Sequence, residues 1–348
     1  MISVFDGHND VLLRLWRQED TNGETFFSGE VEGRARGHID FPRAEKGGFA
    51  GGFFAIYVMP RKPPRNQKLA AETGFAAEPQ DYAMKVASEQ ASILLRLERR
   101  SEGRFRIVRT AKEIAKARRD GAISAIFHME GAEAIGPELA ELDLFHAAGL
   151  RSLGPVWSRP TIFGHGVPFR FPSSPDTGPG LTEAGRNLVK RCNELKILVD
   201  LSHLNEKGFW DIAKLSDSPL VATHSNVHAI SPSARNLTDK QLDAIAESKG
   251  LVGLNFAVAF LRSDGAHRSE TSLDIMTRHL AHLVEKLGEE GVALGSDFDG
   301  AMVPRAIGDV AGLQNLVEAM DQAGFGKELT KKICHSNWEN LLARTWGE

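Results

Sequence analysis

Apolar residues along this chain gather into short β-rich runs separated by longer stretches with helical spacing. Eight runs read as strands: "ISVFDGH" (2–8), "GGFFAIYV" (51–58), "ISAIFHME" (123–130), "RSLGPVW" (151–157), "KILVDLSH" (196–203), "LVATHS" (220–225), "LVGLNFA" (251–257) and "VALGSDFD" (292–299). Between them lie helical segments. In "LTDKQLDAIAES" Thr238 and Gln241 have the spacing of a capping box, and "DIMTRHLAHLVEKLG" (274–288) keeps a helical period. Eight βα alternations predict an α/β fold, a (β/α)₈ TIM barrel spanning 1–348 as one catalytic domain, over an open doubly wound sheet. No G-x-G-x-x-G or G-x-x-x-x-G-K-[ST] follows a strand, so a nucleotide-binding fold loses its main support. Two segments, 59–81 and 159–180, are Pro-rich and too long for ordinary barrel connections. They are expected to be active-site loops.

Composition narrows the partners. At 42% hydrophobic over 348 residues there is apolar material for a large core, and a formal charge of −4 with mixed signs gives no basic stripe for nucleic acid. Cys192 and Cys334 lie in helical stretches without metal-type spacing, so neither a disulfide framework nor a zinc knuckle is expected, and a reducing compartment fits. No apolar run approaches the roughly 18 residues of a spanning helix, and "MISVFDGHND" reaches charged residues too soon for a signal peptide. The expectation is a cytoplasmic protein with no membrane partner.

The chemistry collects at strand ends. His8 and Asp10 end the first run, Glu130 the third, His203 the fifth, His224 the sixth, and Asp297 with Asp299 the eighth. In a barrel the carboxyl ends of all strands converge on one face, so these distant residues would meet around one cavity. Residues i and i+2 of a strand point the same way, so His8 and Asp10 can both face the axis. Three imidazoles and three carboxylates form a nitrogen and oxygen set suited to zinc or a similar divalent cation. That is more than one metal needs: a carboxylate such as Glu130 could bridge two, about 3.5–4 Å apart, with a hydroxide between them. A single histidine or aspartate at a strand end more often serves hydrogen bonding or helix capping; ligand-type residues on five of eight strands are another matter. His128 reads as a supporting group or as core filling. His38, His146, His267, His279 and His282 read as surface or packing residues.

The segments "DGHNDVLLRL", "HMEGAEAIG", "LVDLSHLNEKGFWDI", "THSNVHAISPSARNLTD" and "LGSDFDG" resemble, in order, the renal (membrane) dipeptidase family of the amidohydrolase superfamily, and "NWENLLART" (337–345) is also similar. The resemblance covers nearly the whole chain. It implies a binuclear centre of two Zn²⁺ per chain, with His8 and Asp10 on the more buried metal, His203 and His224 on the other, and Glu130 bridging. Asp297 would contact metal beside the bridging hydroxide and shuttle the proton, and Arg235 in "SARN" would hold the substrate's terminal carboxylate. A homodimer is implied as well. One departure stands out: where many relatives carry a carbonyl-polarising histidine after the fourth strand, "LGPVWSRP" places Trp157 or its neighbours, leaving His165 of "FGHGV" or Arg159 as alternative donors.

The function expected is zinc-dependent hydrolysis of dipeptides, extending to those with a C-terminal D-residue. An arginine at one end and metals at the other would limit the substrate to about two residues. Alternatives left open are another amidohydrolase reaction (hydrolysis of an acylated amino acid, a lactonase or a deaminase) and an inactive metal-binding scaffold. No lysine ends "RSLGPVW" to serve as the modified bridging residue of other branches. Glu130 would do that job, which favours the dipeptidase branch.

Overall fold

All eight apolar runs become strands in the computed structural model, which describes residues 1–29, 37–62 and 64–347. Pro63, inside the 59–81 segment, lies outside the described residues. The strands are β1 (Val4–Asn9), β2 (Phe49–Tyr57), β3 (Phe105–Ile107), β4 (Ile123–Glu130), β5 (Leu150–Gly154), β6 (Leu198–Val199), β7 (Val221–Ser225), β8 (Leu251–Asn255) and β9 (Val292–Gly295). They pair in parallel in the order β6-β5-β4-β2-β1-β9-β8-β7. An Asp200–Val221 bridge closes the round, with the Leu201 N–H donating to the Val221 carbonyl at 2.8 Å. Eight strands thus make a parallel barrel with helices between them, the TIM-barrel arrangement.

β3 is the element that the hydrophobic pattern did not predict. It pairs with the first residues of β4, Phe105 beside Ile123, ahead of the point where β5 joins at Phe127. Its three residues, with Arg106 at the centre, are too short a run to register as strand. The Thr238 capping box forms as expected, the Thr238 N–H donating to Gln241 Oε1 at 2.9 Å.

The barrel interior is divided by chemistry. Its amino-terminal half holds Phe5, Phe53, Ile126, Leu198, Val221 and Leu251, and Trp338, Leu341 and Leu342 of the helix Asn337–Trp346 close that end. Trp338 Nε1–H donates to the Leu294 carbonyl at 3.0 Å, which satisfies the one polar atom of a fully buried indole. Gly7 is required above it: a Cβ there would run into the Thr223 carbonyl and the Trp338 ring. With this end plugged, the polar side chains that follow each strand meet at the opposite mouth. A larger apolar cluster between strands and helices holds the layers together. Both cysteines are buried and free, and among the described residues no helix is long and apolar enough to cross a membrane.

Candidate metal centre

The ends of β1, β4 and β7 and the turn that follows β6 aim imidazole or carboxylate groups at one point; β6 stops at Val199, so His203 lies in that turn rather than on the strand that the apolar run predicted. Glu130 Oε1 lies 2.9 Å from His203 Nε2, 3.4 Å from His224 Nε2 and 3.7 Å from His8 Nε2. His203 and His224 bring their Nε2 atoms to 3.1 Å of each other, and His8 Nε2 is 3.5 Å from Asp10 Oδ2. The His8 and His224 rings stack, centroids 3.8 Å apart. Two overlapping sets, His8, Glu130 and His224, and His8, Asp10 and Asp297, have all their donor atoms within 4.8 Å of one another.

Asp10 reaches this cluster differently from the alternation expected of a strand. β1 ends at Asn9, and Asp10 takes a turn conformation at the start of the helix Val11–Arg17. Its carboxylate makes no capping bond to that helix, so it is left to face His8. Asp297 and Asp299, two residues apart, part company for a similar reason. Both adopt positive φ, 60° and 68°, so the chain turns rather than extends. Asp299 bonds Arg14 Nε at 3.0 Å, whereas Asp297 stays with the cluster. His203 also has a positive φ of 68°. Left-handed backbone at non-glycine residues costs roughly 1–2 kcal/mol each, and its concentration on two cluster residues marks a functional site.

Hydrogen bonds behind the rings decide which nitrogens face the cluster. Thr223 Oγ1 donates to Asp200 Oδ2 at 2.6 Å, so its lone pair accepts from His224 Nδ1–H at 2.8 Å. His224 Nε2 is therefore bare and points a lone pair at the Glu130 oxygen. His203 Nδ1 is hydrogen-bonded to Ser158 Oγ at 2.8 Å, which leaves Nε2 as the nitrogen that faces Glu130. Both His8 nitrogens are buried without any hydrogen-bond partner. Three buried imidazole nitrogens around one carboxylate oxygen, with Asp10 and Asp297 alongside, are a nitrogen and oxygen donor set that fits divalent metal.

Protonation tendencies agree. Burial first, then the nearby cations, push His203 and His224 well below the usual imidazole value, leaving the neutral form that binds metal. Burial would also lower His8, but Glu130, Asp10 and Asp297 outweigh it and carry it up to about 10. Burial raises Glu130 and Asp10, partly offset by His8. The carboxylates thus hold His8 protonated, with the Arg235 guanidinium adding positive charge near Glu130.

Above the cluster opens a cavity of about 810 Å³. Asp10, Glu130, His203 and Asp297 form its polar floor, and Tyr57, Trp157, Phe169, Phe171, Phe260 and Met302 its apolar wall. The 159–180 segment supplies Phe169 and Phe171, and the 59–81 segment supplies Gln67, Lys68, Ala71 and Glu72. The two segments are joined by the Phe169 N–H donating to the Ala71 carbonyl at 2.6 Å.

Arg235 is buried next to His224 and behind Phe260, its guanidinium 5.9 Å from that ring's centroid, and does not itself line the cavity. Its Nη1 donates to Ser225 Oγ and its Nη2 to the His224 carbonyl, each at 2.8 Å, while Nε has no partner. Trp157 lies on the wall, its ring centroid 5.8 Å from that of His203. Arg159 and His165 do not reach the cavity. Arg159 is fully buried, its Nε donating to Glu133 Oε1 at 2.6 Å and its Nη2 to the Val58 carbonyl, with the guanidinium 5.4 Å from both the Tyr57 and Trp157 ring centroids. It braces the wall from behind. His165 is half-buried among the turns beside Leu204 and offers its carbonyl to the Asn205 N–H at 3.3 Å.

Two cavity residues were not marked by the sequence: Tyr57 and His267. Tyr57 ends β2 beside Glu130 in register, and burial raises its hydroxyl pKa, so it stays protonated. Its position at a strand's carboxyl end was the available signal. His267 enters the cavity from a loop whose path no local pattern reveals.

Comparisons with known proteins agree with this geometry. A crystal structure of a metallo peptidase from Rhodobacter sphaeroides, bound to a phosphinate mimic of the dipeptide L-Ala-D-Ala, is 55% identical, covers 99% of both chains and superposes with a TM-score of 0.95. Dipeptidase AC, a metallo peptidase of family M19, is 56% identical over 100% of this chain and 99% of its own, with a TM-score of 0.94. An uncharacterized protein in the pqqA 5' region of Klebsiella pneumoniae is 48% identical over 260 residues, 75% of this chain and 96% of that one. The model of the membrane dipeptidase family, peptidase family M19, matches residues 1–347. This chain therefore belongs to the membrane dipeptidase family, the M19 metallodipeptidases, and is a hydrolase of that family.

Proposed function

We propose that this enzyme hydrolyses dipeptides, including those with a C-terminal D-residue, at a centre holding two zinc ions. The observation that carries the reading is the meeting of three imidazole Nε2 atoms around one oxygen of Glu130, with Asp10 and Asp297 alongside. His8 and Asp10 would hold one ion, His203 and His224 the other, with Glu130 between them and Asp297 in contact. When bound, two such ions supply Lewis acidity that lowers the pKa of a water molecule and polarises the scissile carbonyl. The relative from Rhodobacter sphaeroides, which binds a phosphinate mimic of L-Ala-D-Ala, supports a dipeptide as the substrate.

The chain's own groups set the rest. Arg235, with an unpartnered Nε next to His224, would pair with the substrate's terminal carboxylate. Asp297 would take the proton from the attacking water and return it to the leaving amine. Trp157 and Tyr57, on the wall next to His203 and Glu130, would bound the side-chain pockets and keep water out. Hydrolysis of a library of L,L and L,D dipeptides by zinc-loaded protein, beside an Asp297→Asn control, tests the reading. Turnover that disappears in the control is expected. Two bound metals with no dipeptide turnover would overturn it.

A further inference from the structure

Asp297 carries the proton in this reading, yet its own backbone is strained and its carboxylate needs an external anchor. Asn255, the last residue of β8 and almost fully buried, supplies one: its Nδ2 donates to Asp297 Oδ2 at 2.9 Å. The orientation of the carboxamide is fixed, because Oδ1 accepts from the Ala257 N–H at 2.6 Å. A second carboxamide clamps the backbone beneath it: Asn226 Oδ1 accepts from the Asn255 N–H and Asn226 Nδ2 donates to the Asn255 carbonyl, both at 3.0 Å. The other oxygen of Asp297, Oδ1, faces the space beside Gly300 that Asp10 Oδ2 also faces.

We propose that Asn255 is a positioning residue for Asp297, selecting which carboxylate oxygen handles the proton. An amide N–H only donates, so Asn255 holds Oδ2 as an acceptor and leaves Oδ1 as the oxygen turned toward the cluster. The inference rests on the dipeptidase reading. In that reaction water oxygen bonds to the carbonyl carbon, and one water proton passes to Oδ1. The C–N bond then breaks with its electron pair going to nitrogen, which takes the proton from Oδ1. An amine departs poorly without that proton, whereas the alkoxide of an ester depends on it less.

The test compares L-Ala-D-Ala with its depsipeptide analogue L-Ala-D-lactate, which keeps the terminal carboxylate, on zinc-loaded wild-type, Asn255→Ala and Asn255→Asp proteins. Asn255→Asp keeps the acceptor for Ala257 and sets a repelling carboxylate against Asp297, so its dipeptide loss should be at least as large as that of the alanine variant. Positioned acid–base groups contribute about 10²–10⁴-fold, and displacement without removal should lower kcat on the dipeptide about 30-fold, with the ester within about 5-fold and KM within about 2-fold. Metal content of Asn255→Ala should match wild type, and both variants should unfold cooperatively in denaturant. Equal losses on both substrates, unchanged dipeptide turnover, or loss of metal would overturn the positioning role while wild-type dipeptide turnover leaves the reading of the enzyme standing. A wild-type enzyme that cleaves neither substrate would remove both.

Discussion

Thr223→Val isolates the support behind one imidazole of the cluster. Valine fills the volume of threonine, so the change removes a hydroxyl without opening a large cavity. That hydroxyl donates to Asp200 Oδ2 at 2.6 Å and accepts from His224 Nδ1–H at 2.8 Å. Asp200 keeps the Ser202 and Thr223 backbone N–H groups, at 3.0 and 2.9 Å, and so stays partly solvated by the protein. The loss is one hydrogen bond to a charged group, about 1.5–3 kcal/mol, plus a buried imidazole N–H left unpaired, about 1–3 kcal/mol. Because the two overlap through one atom, unfolding of the metal-free protein in urea should show a loss of about 2–4 kcal/mol. Groups behind a metal-binding histidine are worth about 10–100-fold in affinity, so competition for zinc against a chromophoric chelator should show binding weakened by that factor. The wild-type protein in the same two assays is the reference. Zinc affinity within twofold of wild type would refute the reasoning and assign the orientation of His224 to its stack on His8, 3.8 Å away.

Three further outcomes are expected. Arg235→Met should lower kcat/KM on dipeptides by about 100-fold, mostly through KM, from the loss of a charge-assisted pair; equal losses on dipeptide amides, which lack the carboxylate, would count against that role. Arg159→Met strands the buried Glu133 carboxylate and should cost about 3–5 kcal/mol in denaturant unfolding, most of it restored by adding Glu133→Leu; no restoration would show that the pair is not the reason for the loss. His279 is held neutral by burial, its Nδ1 accepting from the Val227 N–H and its Nε2 donating to the Leu261 carbonyl, with a pKa pushed down to about 4. A depressed folded pKa means that its stabilising contribution is full above about pH 6.5 and is lost as pH falls through that window toward 4. The wild-type protein should therefore lose roughly 1.5 kcal/mol more than His279→Gln between pH 6.5 and 5 in paired urea titrations, and parallel pH curves for the two would refute it.

The sequence by itself determined the barrel and which end of it gathers histidines and carboxylates. Periodicity is a local property, so eight apolar runs were visible, and the convergence of parallel strand ends follows from closure alone. His8, Glu130 and His224 were legible because ligand-type residues recur at the ends of several buried parallel runs, and closure brings those ends together. β3 was not, since three residues around Arg106 carry too little apolar signal and gain their strand geometry from β4.

Only the tertiary structure decided among equivalent letters. Asp297 and Asp299 share the spacing that puts strand residues on one face, but positive φ at both turns one toward the cluster and the other to Arg14. Arg159 and His165 fill the same loop as Phe169, and the long-range pairing with Glu133 keeps Arg159 off the cavity that Phe169 lines. Asn255 carries no charge and no ligand-type chemistry in the sequence; the role proposed for it rests on a contact 42 residues away in the chain. Side-chain direction at turns and in loops depends on partners brought together by folding, and local pattern contains no record of those partners.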